Sequence, residues 1–168
     1  MTQLTPFECL FRDTAGAEVP LPPEIRSIYG PLTFPPHPGR PWVISNFVTT
    51  LDGVVSLMTP GKEGGRAISG DNRHDRLLVA TLCAVADAIV IGGETLRTSP
   101  GHIWTADDIA PELAGAFADL CRALGKTSPP LNVVVSGHGN LDPAERIFQT
   151  DEVPALIVTT EQGAAQLR

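Results

Sequence analysis

Three short apolar runs, separated by segments with helical spacing, constrain the fold of this 168-residue chain more than any other feature. The runs are DAIVIGG, LNVVVSG and VPALIVTT, at 87–93, 131–137 and 153–160. Continuous apolar strands of this kind are typical of a parallel sheet that is buried on both faces. APELAGAFADLCRALGK has helical spacing and stands between the first two runs, and a further helix is predicted to begin at Glu161. This alternation predicts an α/β fold with a mostly parallel central sheet.

The segment before these runs supplies another predicted strand and helix. WVISNFV, residues 42–48, is predicted to form a strand. The glycine-rich stretch at 58–70 is predicted to be a flexible loop. Residues 71–86 are predicted to form a helix that is capped by Ser69 or Asp71.

Residues 1–40 differ in composition from the rest and hold many of the 16 prolines. Because proline interrupts helices and central strands, we predict a proline-rich N-terminal arm with one short helix from Pro23 to Gly30. The arm is expected to lie over the core or to reach a second subunit. Residues 41–168 then form the α/β domain.

Charge and composition exclude several functional classes. The net charge is −7 and no Lys/Arg cluster is present, so we expect neither a nucleic-acid partner nor a membrane partner. The three cysteines form no CxxC pair and the four histidines are scattered, so no metal site is expected. There is no signal peptide and no apolar run of membrane length, and the expected location is the cytoplasm.

Four loops carry the candidate chemistry, because ligands of parallel α/β sheets bind beyond the carboxyl ends of the strands. Their glycine N–H groups and hydroxyls suit a sugar or a pyrophosphate. The loops are Thr49–Gly53, Gly92–Thr95, Ser136–Gly137 and Thr159–Thr160.

Each candidate also has a purely structural interpretation. Gly92-Gly93 is typical of a strand-to-helix turn, and Asp52-Gly53 is a common turn pair. Ser69 suits a helix cap, and Arg73 suits a solvated helix face. The lone histidines are expected to be surface or packing residues.

Taken in order, several segments resemble the reductase domain of the bifunctional riboflavin biosynthesis proteins. The resemblance covers about residues 40–162, and its strongest carriers are TLDG, the ISG helix entry and ADAIVIGGETLR. It implies a three-layer dihydrofolate reductase-like fold. It also implies an NADPH-dependent reductase that converts the ribosylamino group of a phosphorylated pyrimidine to the ribitylamino form, and a homodimer.

The resemblance also implies roles for individual residues. Asp52 would bind substrate or help to deliver a proton, and Ser69 and Arg73 would contact the substrate. The residues expected to bind the cofactor are Val48, Thr50, Gly92, Gly93, Thr95, Arg97 and Ser136.

Three departures from the family pattern bear on these expectations. Thr98-Ser99-Pro100 stands where relatives carry an acidic ADDP segment, and Ser136-Gly137 replaces an aspartate-serine pair. These changes bear on the substrate, for which the expected alternatives are a different pyrimidine, a pterin or another carbonyl compound. The family's further strands and glycine-rich EGG turn are missing after VTTE, so we expect a truncated C-terminal end. The alternative function is a non-catalytic dinucleotide-binding module, or a member that a partner completes.

Overall fold

The computed structural model describes residues 4–12, 14–57, 59 and 64–167. Its described elements run in the order β1, α1, β2, α2, α3, β3, α4, α5, a 3₁₀ turn, α6, β4, α7, β5 and α8. Their bounds are β1 Ala17–Glu18, α1 Pro23–Tyr29, β2 Thr33–Phe34, α2 Gly65–Ser69, α3 Arg73–Val85, β3 Ala88–Gly92, α4 Gly93–Arg97, α5 Ala106–Ile109, the 3₁₀ turn Pro111–Leu113, α6 Ala114–Ala123, β4 Leu131–Ser136, α7 Arg146–Gln149, β5 Ala155–Thr159 and α8 Glu161–Gln166.

The central sheet contains β3, β4 and β5 in that order, and both of its strand pairs are parallel. Ile91 lies opposite Val134, which lies opposite Ile157. The α/β class and the parallel sheet predicted from the apolar runs are thus confirmed. β1 and β2 form a separate antiparallel pair that the sequence pattern did not indicate.

Two hydrophobic clusters hold the elements together. The helical cluster is centred on α1, α3, α5 and α6, with Ile25, Leu77 and Leu120 almost fully buried. The sheet cluster lies against β3 and β4, and Ile91 and Val134 point into it. Ile89 packs against both clusters, so this strand residue joins the helices to the sheet.

One face of the sheet is exposed, whereas the sequence predicted strands that are buried on both faces. Its exposed apolar side chains define what we call the apolar sheet face: Val90, Val135, Leu156 and Val158. Val90 is 66% exposed although its neighbour Ile91 is buried. Alternate side chains of a strand point to opposite faces, and the described residues cover the face that carries Ile91 but leave these four side chains exposed.

The predicted strand at 42–48 is wrong for this structure, because these residues form neither a strand nor a helix. Val43 and Phe47 are exposed by 83% and 75%. Apolar content favours a strand only where a sheet edge receives the segment, and here the described strands give it no pairing. Within the predicted loop at 58–70, residues Gly65–Ser69 form α2; Met58 and residues 60–63 lie outside the described residues.

The cap predicted for the helix after residue 70 is also corrected. α3 begins at Arg73, and its N-cap is Asn72, whose side chain accepts a hydrogen bond from the His74 amide at 2.9 Å. Gly70 and Asp71 both have left-handed backbone conformations, with φ of 62° and 57°. These two residues reverse the chain after α2. α3 therefore begins at Arg73, later than a helix capped by Ser69 or Asp71 would begin.

Candidate functional site at the carboxyl ends of the strands

Parallel pairing brings three of the four candidate loops to one edge of the sheet. Gly92 at the end of β3 lies opposite Val135, and Ser136 at the end of β4 lies opposite Thr159. The loops that leave these strands therefore start side by side. This edge is where a parallel α/β sheet binds its ligands.

Gly92 and Gly93 have different reasons for being glycine. A side chain added at Gly92 would meet no atom within 4 Å, and this residue is exposed. Gly93 is buried, and an added Cβ would lie 3.0 Å from Leu141 Cδ2 and 3.3 Å from Ser136 Cβ. Gly93 thus permits close packing against β4, whereas the space beside Gly92 is open to a ligand.

The short helix α4 carries Thr95 and Arg97 directly after these glycines. Both side chains are exposed. The Arg97 guanidinium forms an ion pair with Glu94, and its Nη1 donates to the Asn140 carbonyl at 2.8 Å. A phosphate at Arg97 would share this cation with Glu94, since the carboxylate and the phosphate favour the same donors.

The loops after β4 and β5 are fixed to each other by hydroxyl groups. Thr159 Oγ1 donates to the Ser136 carbonyl at 2.5 Å, and Thr160 Oγ1 donates to the Gly137 carbonyl at 2.7 Å. The backbones of Gly139 and Gly163 approach so closely that neither position has room for a Cβ. Sequence reasoning missed this pair of glycines, because they lie in separate loops and neither belongs to a motif.

The TLDG turn is held by local hydrogen bonds. The Thr50 hydroxyl donates to the Asp52 carboxylate and accepts from the Val54 amide at 3.0 Å. Gly53 has a φ of 87°, which favours glycine. Asp52 is exposed, and the hydrogen bond that its carboxylate accepts comes from Thr50 in the same turn. This interaction stabilises the turn.

The helix α2 connects this turn region to the loop after α4. A Cβ added at Gly65 would lie 3.1 Å from Val48 Cγ1, and one added at Gly64 would lie 3.8 Å from the Thr98 carbonyl. Ser69 is half-buried at the end of α2, whereas Arg73 is exposed in the first turn of α3. The predicted nicotinamide residue Val48 and the loop that begins at Thr98 therefore both lie against α2.

Sequence reasoning missed a charged cluster in the next part of the chain. His102 Nδ1 lies 3.0 Å from the Asp108 carboxylate, and Arg146 Nη1 donates to the same carboxylate at 2.8 Å. Arg146 Nη2 also donates to Glu152 at 2.9 Å. Arg146 is 38 residues from Asp108, so no local motif could have indicated the cluster.

Burial sets the electrostatics of this cluster. It lowers the pKa of His102 below its ordinary value of 6.5, and Arg146 and Arg66 lower it further, while Asp108 acts in the opposite direction. Hydrogen bonds from Arg146 and Thr150 lower the pKa of Glu152. The imidazole is therefore favoured in its neutral form, with its Nδ1–H donating to Asp108.

A scan against protein-family models matches residues 41–168 to the family described as the RibD C-terminal domain. The chain belongs to this family. RibD C-terminal domains are riboflavin-pathway reductase-like domains with a dihydrofolate reductase-like fold, and the parallel sheet with its helices is that fold here. No curated protein and no solved structure matches the chain.

The residues of this RibD C-terminal domain fit the phosphates of a dinucleotide. The open space beside Gly92 would give a phosphate access to the backbone, and Thr95 and Arg97 have an exposed hydroxyl and an exposed cation one turn later. Across the described residues, no three His, Cys, Asp or Glu side chains come together as a metal site. None of the helices in the described ranges is long and apolar enough to cross a membrane.

Proposed function

We propose that this protein is an NADPH-dependent reductase of a phosphorylated ribosylamino-pyrimidine, similar to 5-amino-6-(5-phosphoribosylamino)uracil reductase. One observation carries the proposal: the open backbone at Gly92, followed by exposed Thr95 and Arg97, lies at the ligand-binding edge of a sheet in a reductase-like family. Pterins and other carbonyl compounds are the competing substrates, because Thr98-Ser99-Pro100 lacks the acidic residues that the family resemblance implies at this position.

When bound, NADPH supplies a hydride to the sugar carbon. Gly92 would admit its phosphates to the backbone, and Thr95 and Arg97 would bind them. Gly93 would act indirectly, by packing α4 against Ser136. Most of the rate enhancement would come from holding the two reactants in line with water excluded.

The other predicted residues have positions that suit substrate contact. Val48 and Thr50 would approach the nicotinamide from the turn region, while Ser69 and Arg73 flank the chain reversal after α2. Arg73 would pair with the substrate phosphate, because a guanidinium binds phosphate through two donors. Asp52 would bind the substrate from its turn. We further propose that the enzyme works in the cytoplasm as a homodimer.

A non-catalytic dinucleotide-binding module is the second candidate. The segment Thr98-Ser99-Pro100 favours it, because this segment lacks the acidic residues that the family resemblance implies there. The two candidates differ in turnover and not in cofactor binding. A protein that binds NADPH but reduces no ribosylamino-pyrimidine would be the non-catalytic module.

The cofactor assignment is tested by titrating NADPH and NADH into the protein and following nicotinamide fluorescence. Arg97→Ala should weaken NADPH binding by about tenfold, which is about 1.4 kcal/mol, and should weaken NADH binding less. The matched control is Arg122→Ala, because Arg122 also pairs with a carboxylate three residues away, on the exposed face of α6. Equal losses for both cofactors would show that Arg97 does not recognise the extra phosphate. No binding by the unaltered protein would overturn the proposal.

A further inference from the structure

His102 has the surroundings of an imidazole that is held for proton transfer. Its Nδ1 lies 3.0 Å from Asp108, whose other carboxylate oxygen accepts from Arg146 at 2.8 Å. A carboxylate that accepts from Nδ1–H fixes the tautomer and the ring plane, and leaves Nε2 as the nitrogen that can reach a ligand. The side chain is 33% exposed, so a ligand can approach it.

The loop that carries His102 is held by an aromatic contact and by hydrogen bonds to β4. The Trp104 ring packs edge-on against the imidazole, with 4.8 Å between ring centroids. Asn132, fully buried on β4, accepts from the Trp104 amide at 2.9 Å and donates to the Trp104 carbonyl at 3.2 Å. A buried amide with both hydrogen-bonding groups satisfied holds this loop rigidly.

His102 also lies next to the segment at 98–100. Its amide donates to the Ser99 carbonyl at 3.2 Å, and this hydrogen bond holds His102 beside residues 98–100. α2 lies against both Thr98 and Val48, and Arg66 on α2 is near enough to act on the imidazole electrostatically. The loop of His102 thus adjoins the segment Thr98-Ser99-Pro100.

We propose that His102 contacts the substrate and, as the imidazolium, gives up from Nε2 the proton that the reduction consumes, with Asp108 and Arg146 as positioning residues. This inference rests on the proposed function. Reduction of a ribosylamino group breaks the bond between C1′ and O4′ of the sugar. C1′ accepts a hydride and is reduced by two electrons, NADPH is oxidised to NADP⁺, and O4′ leaves with the bonding pair and takes one proton. His102 supplies that proton and is protonated again from water.

The site has one other candidate for this role. Asp52 is exposed, and its carboxylate accepts from the Thr50 hydroxyl within its own turn. His102 is held through Nδ1 by Asp108, a residue outside its own loop, and its Nε2 remains as the nitrogen that can face a substrate.

The charges around His102 decide its pH dependence. Asp108 faces it from α5, Arg146 from α7 and Arg66 from α2, and Glu145 accepts from the amide of the adjacent Gly101 at 3.0 Å. Burial and the two arginines favour the neutral ring, and Asp108 acts in the opposite direction. The protonated ring is the form that can donate from Nε2, and its population increases as the pH falls. Turnover should therefore rise from about pH 8 to about pH 6 in the unaltered protein, and this dependence should disappear in His102→Gln.

The first experiment needs no variant and no turnover. NMR of the histidine rings in the whole protein should show the Nδ1–H tautomer at His102. Addition of D-ribose 5-phosphate, used as the probe, should shift the ring signals of His102 and leave those of His37 unchanged. An unperturbed His102 at saturating probe, or an Nε2–H tautomer, would overturn the proposal even if NADPH binds.

The second experiment measures turnover with the ribosylamino-pyrimidine substrate. His102→Gln should lower kcat by about 10²-fold or more, with KM and the Kd of NADPH within about threefold. Asp108→Asn should lower kcat less and should change the tautomer seen by NMR. His37→Gln is the control, and thermal unfolding shows whether each variant is folded. A folded His102→Gln protein with unchanged kcat would refute the role of His102 and leave the proposed function standing. Absence of NADPH binding by the unaltered protein would refute the proposed function, and the proton transfer with it.

Discussion

Gly92 and Gly93 are adjacent, but substitution by alanine should affect them differently. In Gly93→Ala the new methyl would lie 3.0 Å from Leu141 and 3.3 Å from Ser136, both buried, and overpacking should outweigh the gain in helix propensity. We expect a net loss of about 1 kcal/mol in the free energy of unfolding. Gly92→Ala meets no atom and has a φ of −78°, so its stability should change by less than about 0.5 kcal/mol. Urea unfolding of both variants measures the difference.

The same pair separates packing from ligand binding. Gly92→Ala should weaken NADPH binding at nearly unchanged stability, because its methyl occupies the space that a phosphate would use. Equal stability losses at the two positions would contradict the packing that the structure assigns to Gly93. Unchanged NADPH binding in Gly92→Ala would place the cofactor elsewhere.

His102 should make stability depend on pH. Its folded-state pKa is lowered from the ordinary 6.5, so the unfolded chain takes up a proton more readily. The contribution of His102 to the free energy of unfolding is fully present above about pH 6.5. It is lost as the pH falls through that value toward the lower pKa of the folded state. Urea midpoints at about pH 7.5 and about pH 5.5 should differ more in the unaltered protein than in His102→Gln. An equal or larger difference in the variant would contradict the burial of this imidazole.

At the scale of elements, the segment at 42–48 gives the sharpest test of the fold. It has the composition of a strand but takes part in no described ladder, and Phe47 is 75% exposed. Its amides should exchange with deuterium at nearly the rate of an open chain, whereas β4, paired on both sides, should be strongly protected. Hydrogen exchange with mass spectrometry at peptide resolution compares the two. Protection of 42–48 similar to that of β4 would mean that the segment forms a strand after all.

The sequence predicted those elements whose signals are local. The runs at β3, β4 and β5 and the helix that starts at Pro23 are confirmed, because apolar periodicity and capping residues act within a few positions. The four-residue helices α5 and α7 were missed, since each is too short to show a period. The strand at 42–48 was wrong because a strand depends on a distant partner, which no local pattern specifies.

The sequence could indicate those parts of the candidate site that directly follow a strand, but not those that the fold brings together. Gly92, Thr95 and Ser136 follow strands in a recognisable order, so the sequence could point to their loops. His102, Asp108 and Arg146 could not be grouped in advance, because the fold alone brings α5 and α7 together. The pairing of Arg97 with Asn140 was hidden for the same reason, as it spans 43 residues.

For the whole molecule, the distribution of apolar surface bears on assembly. The apolar sheet face exposes Val90, Val135, Leu156 and Val158, and Trp42, Val43 and Phe47 add further apolar surface. A contiguous apolar patch on a sheet is typical of a surface that a partner covers. A second copy of this chain is the occupant we propose, because a twofold interface would cover the same face on both copies.

The homodimer is tested by a charge on that face. Val158→Glu should shift the protein toward the monomer, because pairing would bury the carboxylate without a partner. Ala118→Glu on the exposed surface of α6 adds the same charge away from the face and should leave the assembly unchanged. Light scattering coupled to gel filtration, over about a hundredfold range of protein concentration, measures the mass of each species. A monomer at every concentration in the unaltered protein would refute the dimer, and a dimer that persists in Val158→Glu would place the interface on another surface.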